Sequence, residues 1–277
     1  MPSKGFQLGV LALIAISVAG PCAAQAQAVL NAEYLVTLSG LPIGKGRATV
    51  DISDDRYSMS ASGTTAGLMR LFSSGHGSGT VLGTMIGGAP ATAQFSARIT
   101  SAKKTEEYRL TIAGGEVTDF SVTPPLPPQS DRVPLNDAHR RGVNDPMSAT
   151  LIRVPGNGNP AGPEACQRTL SVFDGRMRYD VQLTYKRSET IHADSYSGPA
   201  VVCMVTFVPI AGHNPERPAV RYLVRLREME AWLVPIAGTR MVAPVRIVIP
   251  TPFGLGVMQA VKFDAVAQHS ARRARAP

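Results

Sequence analysis

The sequence predicts an all-β protein: a long curved antiparallel sheet rolled into a spiral or a partly open barrel, with one short helix near residues 145–153. Three observations predict it. Apolar residues recur with period two through most of the chain, which places alternate side chains on one face of a strand. Turn formers are plentiful, with 26 glycines and 22 prolines, as a chain of many short strands requires. Gly114-Gly115 and Asp174-Gly175 each sit between alternating runs and read as hairpin turns.

The first strand reads as Val29–Leu38, and Leu41-Pro42-Ile43-Gly44 is expected to turn the chain. In Gly46–Ile52, Ala48, Val50 and Ile52 alternate with Arg47, Thr49 and Asp51. Further strands are expected at Tyr57–Gly63, Ser78–Leu82, Ala91–Thr100, Glu106–Ala113 and Glu116–Val122. Gly75-His76-Gly77-Ser78-Gly79 reads as a flexible loop or strand edge. Thr123–Pro128 holds four prolines in six residues, so an extended, stiff connection is expected there. Asn144-Asp145-Pro146 is the helix start: an Asx cap with proline at the first helical position. Pro155-Gly156-Asn157-Gly158 stops that helix.

Cys166–Phe173 and Arg176–Lys186 flank Asp174-Gly175. A two-residue loop there pairs Val172 with Met177 and Leu170 with Tyr179 on an apolar face, and Ser171 with Arg178 and Thr169 with Asp180 on a polar one. Cys203 lies in Ala200–Pro209, apolar on both parities, which reads as a central strand covered on both faces. Strands are expected at Ala219–Glu228, Glu230–Pro235, Met241–Ile249 and Gly256–Phe263. In the first of these, Arg221, Arg225 and Arg227 would share one face. The domain plan is a leader at 1–28, one β-rich domain at 29–268 with two candidate halves joined by 123–130, and a basic disordered tail at 269–277.

Export is the expectation at the N-terminus. Lys4 is followed by the apolar run Leu8–Ala19, too short to span a bilayer, and then by Ala26-Gln27-Ala28, a cleavage site; Ala24-Gln25-Ala26 fits nearly as well. A lipoprotein reading through Cys22 is disfavoured by Pro21 before it. The expected location is the periplasm, with no spanning segment in the mature chain. Cys166 and Cys203 are then an even pair in an oxidising compartment, which points to a disulfide; a metal pair would need further ligands that no spacing supplies. An outer-membrane barrel is disfavoured by 6% aromatic content and by a chain ending in Ala-Arg-Ala-Pro.

The net charge is +8. It suits a lipid or another anionic envelope component as partner, and part of it resides in Arg272, Arg273 and Arg275. Nucleic acid is not expected, because no aromatic-basic binding motif appears. The candidate ligand or anion contacts are Arg176, Arg178, Arg221, Arg225, Arg227 and the turn residue His213. Trp232, the single tryptophan, reads as packing. His192 and Asp194 could share a strand face but lack a third metal ligand. No helical zinc motif, nucleophile elbow or phosphate loop is present, so no catalytic residue, metal or cofactor is assigned.

Several motifs in order carry a resemblance: Leu41-Pro42-Ile43-Gly44, Asp145-Pro146-Met147-Ser148-Ala149, the run Arg168–Asp180, Val202-Cys203, Pro209-Ile210-Ala211-Gly212-His213 and Pro244-Val245-Arg246. Together they resemble the domain of unknown function 3108 family across nearly the whole mature chain. Met177 departs from the basic residue expected at its position. The resemblance implies a periplasmic β-rich protein and supplies no activity. Three functional readings follow: a non-enzymatic envelope protein holding a lipid or other amphiphile in a sheet-lined cavity, a hydrolase with an unrecognised polar site, and a scaffold that binds another envelope protein through an exposed sheet edge.

Overall fold

The computed structural model describes residues 27–67, 75–87, 89–101, 104–125 and 130–268. The expected leader (all but its last two residues), residues 126–129 of the proline-rich stretch and the expected tail 269–277 lie outside them. The described chain is a 14-stranded antiparallel sheet that hydrogen bonding does not close. Strands β1 (Gln27–Leu38), β2 (Leu41–Ile52), β3 (Arg56–Thr65), β4 (Gly75–Ile86), β5 (Ala89–Ser101), β6 (Lys104–Ala113) and β7 (Glu116–Thr123) form one meander. A two-residue strand, β8 (Ile152–Arg153), precedes β9 (Arg168–Phe173), β10 (Arg178–Ala193) and β11 (Tyr196–Ala211). Helix α1 (Pro218–Arg225) leads into β12 (Met229–Pro235), β13 (Met241–Thr251) and β14 (Gly254–Gln268).

The order across the sheet is β7-β6-β5-β4-β3-β2-β1-β14-β13-β12-β11-β10-β9, with β8 pairing off the path onto β13. The two halves are therefore joined through the pairing of β1 with β14, at the middle of the sheet. The connection from β7 to β9 runs between the two free edges. One side of the sheet carries the main core, including Leu30, Val50, Val81, Leu110, Phe173, Val234 and Phe263. A smaller core covers the opposite face of the second half: Val201, Cys203, Ala231, Leu233 and Val242 pack there with Ile152, Val154, Ala165 and Cys166 from the β7–β9 connection. Residues Ala200 to Cys203 are all 0% exposed, because alternate side chains enter the two cores. The expected doubly covered central strand is thus present.

Local chemistry corrects several sequence expectations. The β1–β2 turn is Ser39-Gly40, both with positive φ, and Leu41–Gly44 already belongs to β2. Gly75–Gly79 is neither loop nor edge but the start of β4, paired on both sides. No α-helix forms at 145–153. The Asp145 carboxylate does cap the turn, but only a 3-10 turn (Ser148–Thr150) follows before β8 pairs with Met241 and Val242. The α-helix is instead α1, where a strand was expected. Pro218 sits at its first position, which suits a helix, and the spacing of Arg221 and Arg225 fits a helix face as well as a strand face.

The β6–β7 hairpin turns on Gly114-Gly115 as expected, both with positive φ. The β9–β10 hairpin does not use a two-residue loop. Val172 pairs with Tyr179, Leu170 with Val181 and Ser171 with Asp180, leaving 174–177 as the loop. The register is two residues away from the expected one, so every side chain keeps its face. The reason is Asp174: its Oδ1 accepts the backbone N–H groups of Arg176 (2.8 Å) and Met177 (2.7 Å), a wider Asx-type turn. Only Gly175 takes positive φ there.

Candidate functional site

The free edges of β7 and β9 approach one another, and the connection between them seals the gap. Val143 N–H donates to Gly115 O, Asn144 N–H to Ser171 O, and Phe173 N–H to Asn144 O. Single bridges join Glu116 to Arg141 and Asn144 to Val172. Side chains complete the seam. Phe120 of β7 packs edge-on against Phe173 of β9 at 5.5 Å, with the Arg140 guanidinium over the Phe120 ring. Arg176 from the β9–β10 loop lies over Tyr108 and pairs with Glu106 on β6.

Asp145 lies in this seam and is 0% exposed. Its Oδ1 accepts the N–H groups of Met147 (2.9 Å) and Ser148 (3.0 Å), while Oδ2 has no hydrogen-bond partner. Burial pushes its carboxyl above the ordinary value, against the opposing pull of Ser148 and the backbone donors. The Ser148 hydroxyl meets the Tyr57 hydroxyl of β3 at 2.7 Å, and Tyr57 reaches Thr92 O at 3.1 Å. Burial raises Tyr57 to about 12. Ser148 is 3% exposed and makes no hydrogen bond to a histidine among the described residues. These groups anchor the turn inside the roll; the arrangement offers no accessible nucleophile–base pair.

Next to this turn, on the face opposite the main core, is an apolar cleft of about 210 Å³. Leu170, Tyr179, Val181, Val205, Leu233 and Ile247 line its sheet side. Pro146, Ala149 and Thr150 line its turn side, so the Asp145 cap positions one wall. The Tyr179 ring packs at 5.4 Å, tilted, against Phe207. Burial raises the Tyr179 hydroxyl strongly, and the charges of Asp174 and Asp145 add to the shift. That hydroxyl makes no hydrogen bond to protein among the described residues, which leaves one polar handle at an apolar cleft. The disulfide Cys166–Cys203 (Cα–Cα 5.3 Å) ties the connection down on the same face. Cys203 is in β11, but Cys166 ends a 3-10 turn just before β9 rather than lying in a neighbouring strand.

The six residues read from the sequence as ligand or anion contacts do not form one stripe. Arg176 is engaged by Glu106 (2.7 Å), and Arg178 by Asp180 (2.6 Å) and its neighbour's carbonyl, Tyr179 O (2.7 Å). Arg221 and Arg225 are exposed on α1, and Arg227 turns back onto the carbonyls of Val224 and Leu226 at the helix end. His213 is 8% exposed; burial lowers its pKa and leaves Nδ1 without a partner. Its carbonyl accepts from Val133 N–H, and the Gly212 carbonyl accepts from Arg132. Trp232 is core packing: it is 6% exposed, donates to Glu189 and has the guanidiniums of Arg187 and Arg246 over its ring. His192 binds Ser197 Oγ at 2.8 Å. No group of three or more metal-ligating side chains occurs among the described residues. The sequence reading missed Asp145 as a buried anchor, together with Ser148 and Tyr57. The run Asn-Asp-Pro was its one signal, and it was read as a helix cap.

No curated protein matches the chain. A solved structure described as a β-barrel-like protein of domain of unknown function DUF1849, from Brucella abortus, is similar at 11% identity and a TM-score of 0.49, covering 87% of this chain and 98% of that one. The model of a family described as a protein of unknown function (DUF3108) matches residues 33–261, so the seam, the cleft and both disulfide cysteines all lie within the match and this chain belongs to the DUF3108 family.

Proposed function

We propose that this is an exported, non-enzymatic protein of the cell envelope that holds the apolar chain of a lipid or other amphiphile in the cleft beside Tyr179. The observation that carries the reading is the cleft: about 210 Å³, apolar on nearly every side and open to solvent. It lies outside the roll, since the side of the sheet expected to line a cavity is filled by the main core. The Tyr179 hydroxyl would meet the polar end of the ligand. A disulfide, and no helix among the described residues long and apolar enough to cross a membrane, accord with a periplasmic location. Ala28 is 1% exposed and pairs with Ile52 and Ala267. Leader cleavage after Ala26, the alternative site, keeps β1 whole and is therefore the processing proposed.

The test is uptake of a fluorescent fatty acid. The wild type should bind it in a saturable way, and Thr150→Phe, which projects a ring from the exposed turn wall into the cleft, should abolish uptake with little change in melting temperature. Absence of saturable binding by the wild type, or unchanged binding by the folded variant, would overturn the reading.

A further inference from the structure

We propose that the end of the sheet centred on Phe253 docks onto an anionic phospholipid surface. The β13–β14 turn carries Pro252 and Phe253 at its tip, and Phe253 is 80% exposed. Thr251 Oγ1 both accepts Phe253 N–H (3.1 Å) and donates to Gly254 O (2.7 Å), so the ring is presented on a braced turn. The β1–β2 turn lies directly beside it: Ser39 N–H donates to Leu255 O (2.9 Å) and Ser39 Oγ to Phe253 O (2.8 Å). That neighbour adds Leu41, 59% exposed, and Pro42; Leu255 on β14 is 44% exposed. Large apolar side chains gathered at one tip mark an interaction surface rather than chance exposure.

Charge selects the partner. No Asp or Glu occurs from Tyr34 to Val50 or from Ile249 to Phe263, the segments around the two turns that form the tip. Lys45 and Arg47 are exposed on β2 just behind it, and Lys45 makes no ion pair among the described residues; Arg47 faces Glu33 at 3.7 Å with both side chains largely in solvent. Helix α1 stands at the same end of the strands, since it leads into Met229, and Glu230 pairs with Val248 near the β13–β14 turn. No residue of α1 is buried. Its Arg221 has only a long contact to Glu216 (3.5 Å), and Arg225 has no ion pair among the described residues. Braced apolar side chains flanked by exposed cations suit a membrane interface, where rings enter the headgroup region and cations meet lipid phosphates.

Cosedimentation of the full chain with vesicles tests this. Equal parts of phosphatidylglycerol and phosphatidylcholine should bind the protein, and phosphatidylcholine alone should bind it at least about tenfold less, because each exposed cation gains attraction near an anionic surface. Added salt should weaken binding by screening the exposed cations. The double variant Phe253→Ser, Leu41→Ser should bind roughly tenfold or more weakly with an unchanged circular dichroism spectrum. Both proteins carry the same leader and the same cleft, so their difference reports the tip alone. In Phe253→Trp, a blue shift of the new indole on anionic vesicles should accompany binding against the constant signal of buried Trp232. A folded double variant that binds like the wild type, equal binding to both vesicle types, or no binding would overturn the proposal. So would a wild-type dimer that dissociates in the double variant without any vesicle binding, which would make a second copy the occupant.

Discussion

Glu106 on β6 accepts the Arg176 guanidinium at 2.7 Å, so one ion pair spans the seam between the two halves of the sheet. Lys104 (2.5 Å) and the Tyr108 hydroxyl (2.9 Å) meet the same carboxylate. Glu106 is consequently held down to about 2 from 4.5, by Lys104 first and then by Arg176 and Tyr108. A depressed carboxylate contributes stability above its unfolded value and loses it as pH falls toward the folded one. Glu106→Gln should destabilise by about 1 kcal/mol at neutral pH, since the pair is only partly sheltered. Thermal unfolding across pH checks it: the gap between wild type and variant should close from about 4.5 down to about 2.

The Cys166–Cys203 bridge closes a loop with a sequence separation of 37. Replacing both cysteines by serine should cost about 2–4 kcal/mol, chiefly through the freedom regained by the unfolded chain. Urea unfolding of the double variant against the oxidised wild type measures it.

Gly212 has φ +79, and a Cβ there would lie 2.0 Å from Arg176 O. Gly212→Ala must both adopt a left-handed backbone and push the β9–β10 loop away from the 211–213 stretch, so a loss of about 3 kcal/mol or more is expected. Gly158→Ala, at a position with open space and no positive φ, should be near neutral. Paired melting curves distinguish the two.

Asp145 has the opposite pH behaviour to Glu106. Its folded value is raised by burial, so its contribution is greatest below the ordinary carboxylate value of 3.8 and declines as pH rises above it. Asp145→Asn keeps an oxygen for the N–H groups of Met147 and Ser148 and should be close to wild type while removing that decline. Asp145→Ala strands both donors and should cost about 2 kcal/mol or more. Unfolding free energies of the two variants between acid and neutral pH check the sign.

Much of the sheet was legible because its signal is local. Alternation at Ala48, Val50 and Ile52 marks a half-buried strand wherever that strand lies, and Gly114-Gly115 offers the two positive-φ positions that its turn needs. The candidate site was less legible. Tyr179 and Leu170 were assigned to the apolar face, but nothing in their spacing shows that the 146–150 turn stands beside them to make a cleft. The basic stripe failed for the same reason: strand parity says nothing about a residue's partner across the seam, such as Glu106 for Arg176.

By itself, the sequence determined the fold class and which residues of most strands share a face. These follow from side-chain alternation, which survives even the two-residue slip of the β9–β10 register. Only the tertiary structure decided that slip, where Asp174 takes two backbone donors, and the helix at Pro218–Arg225, whose spacing fits both periods. It also decided that β1 pairs with β14 while the β7–β9 connection seals the edges. Those outcomes depend on contacts between residues far apart in the chain, and periodicity carries no information about which distant surfaces meet.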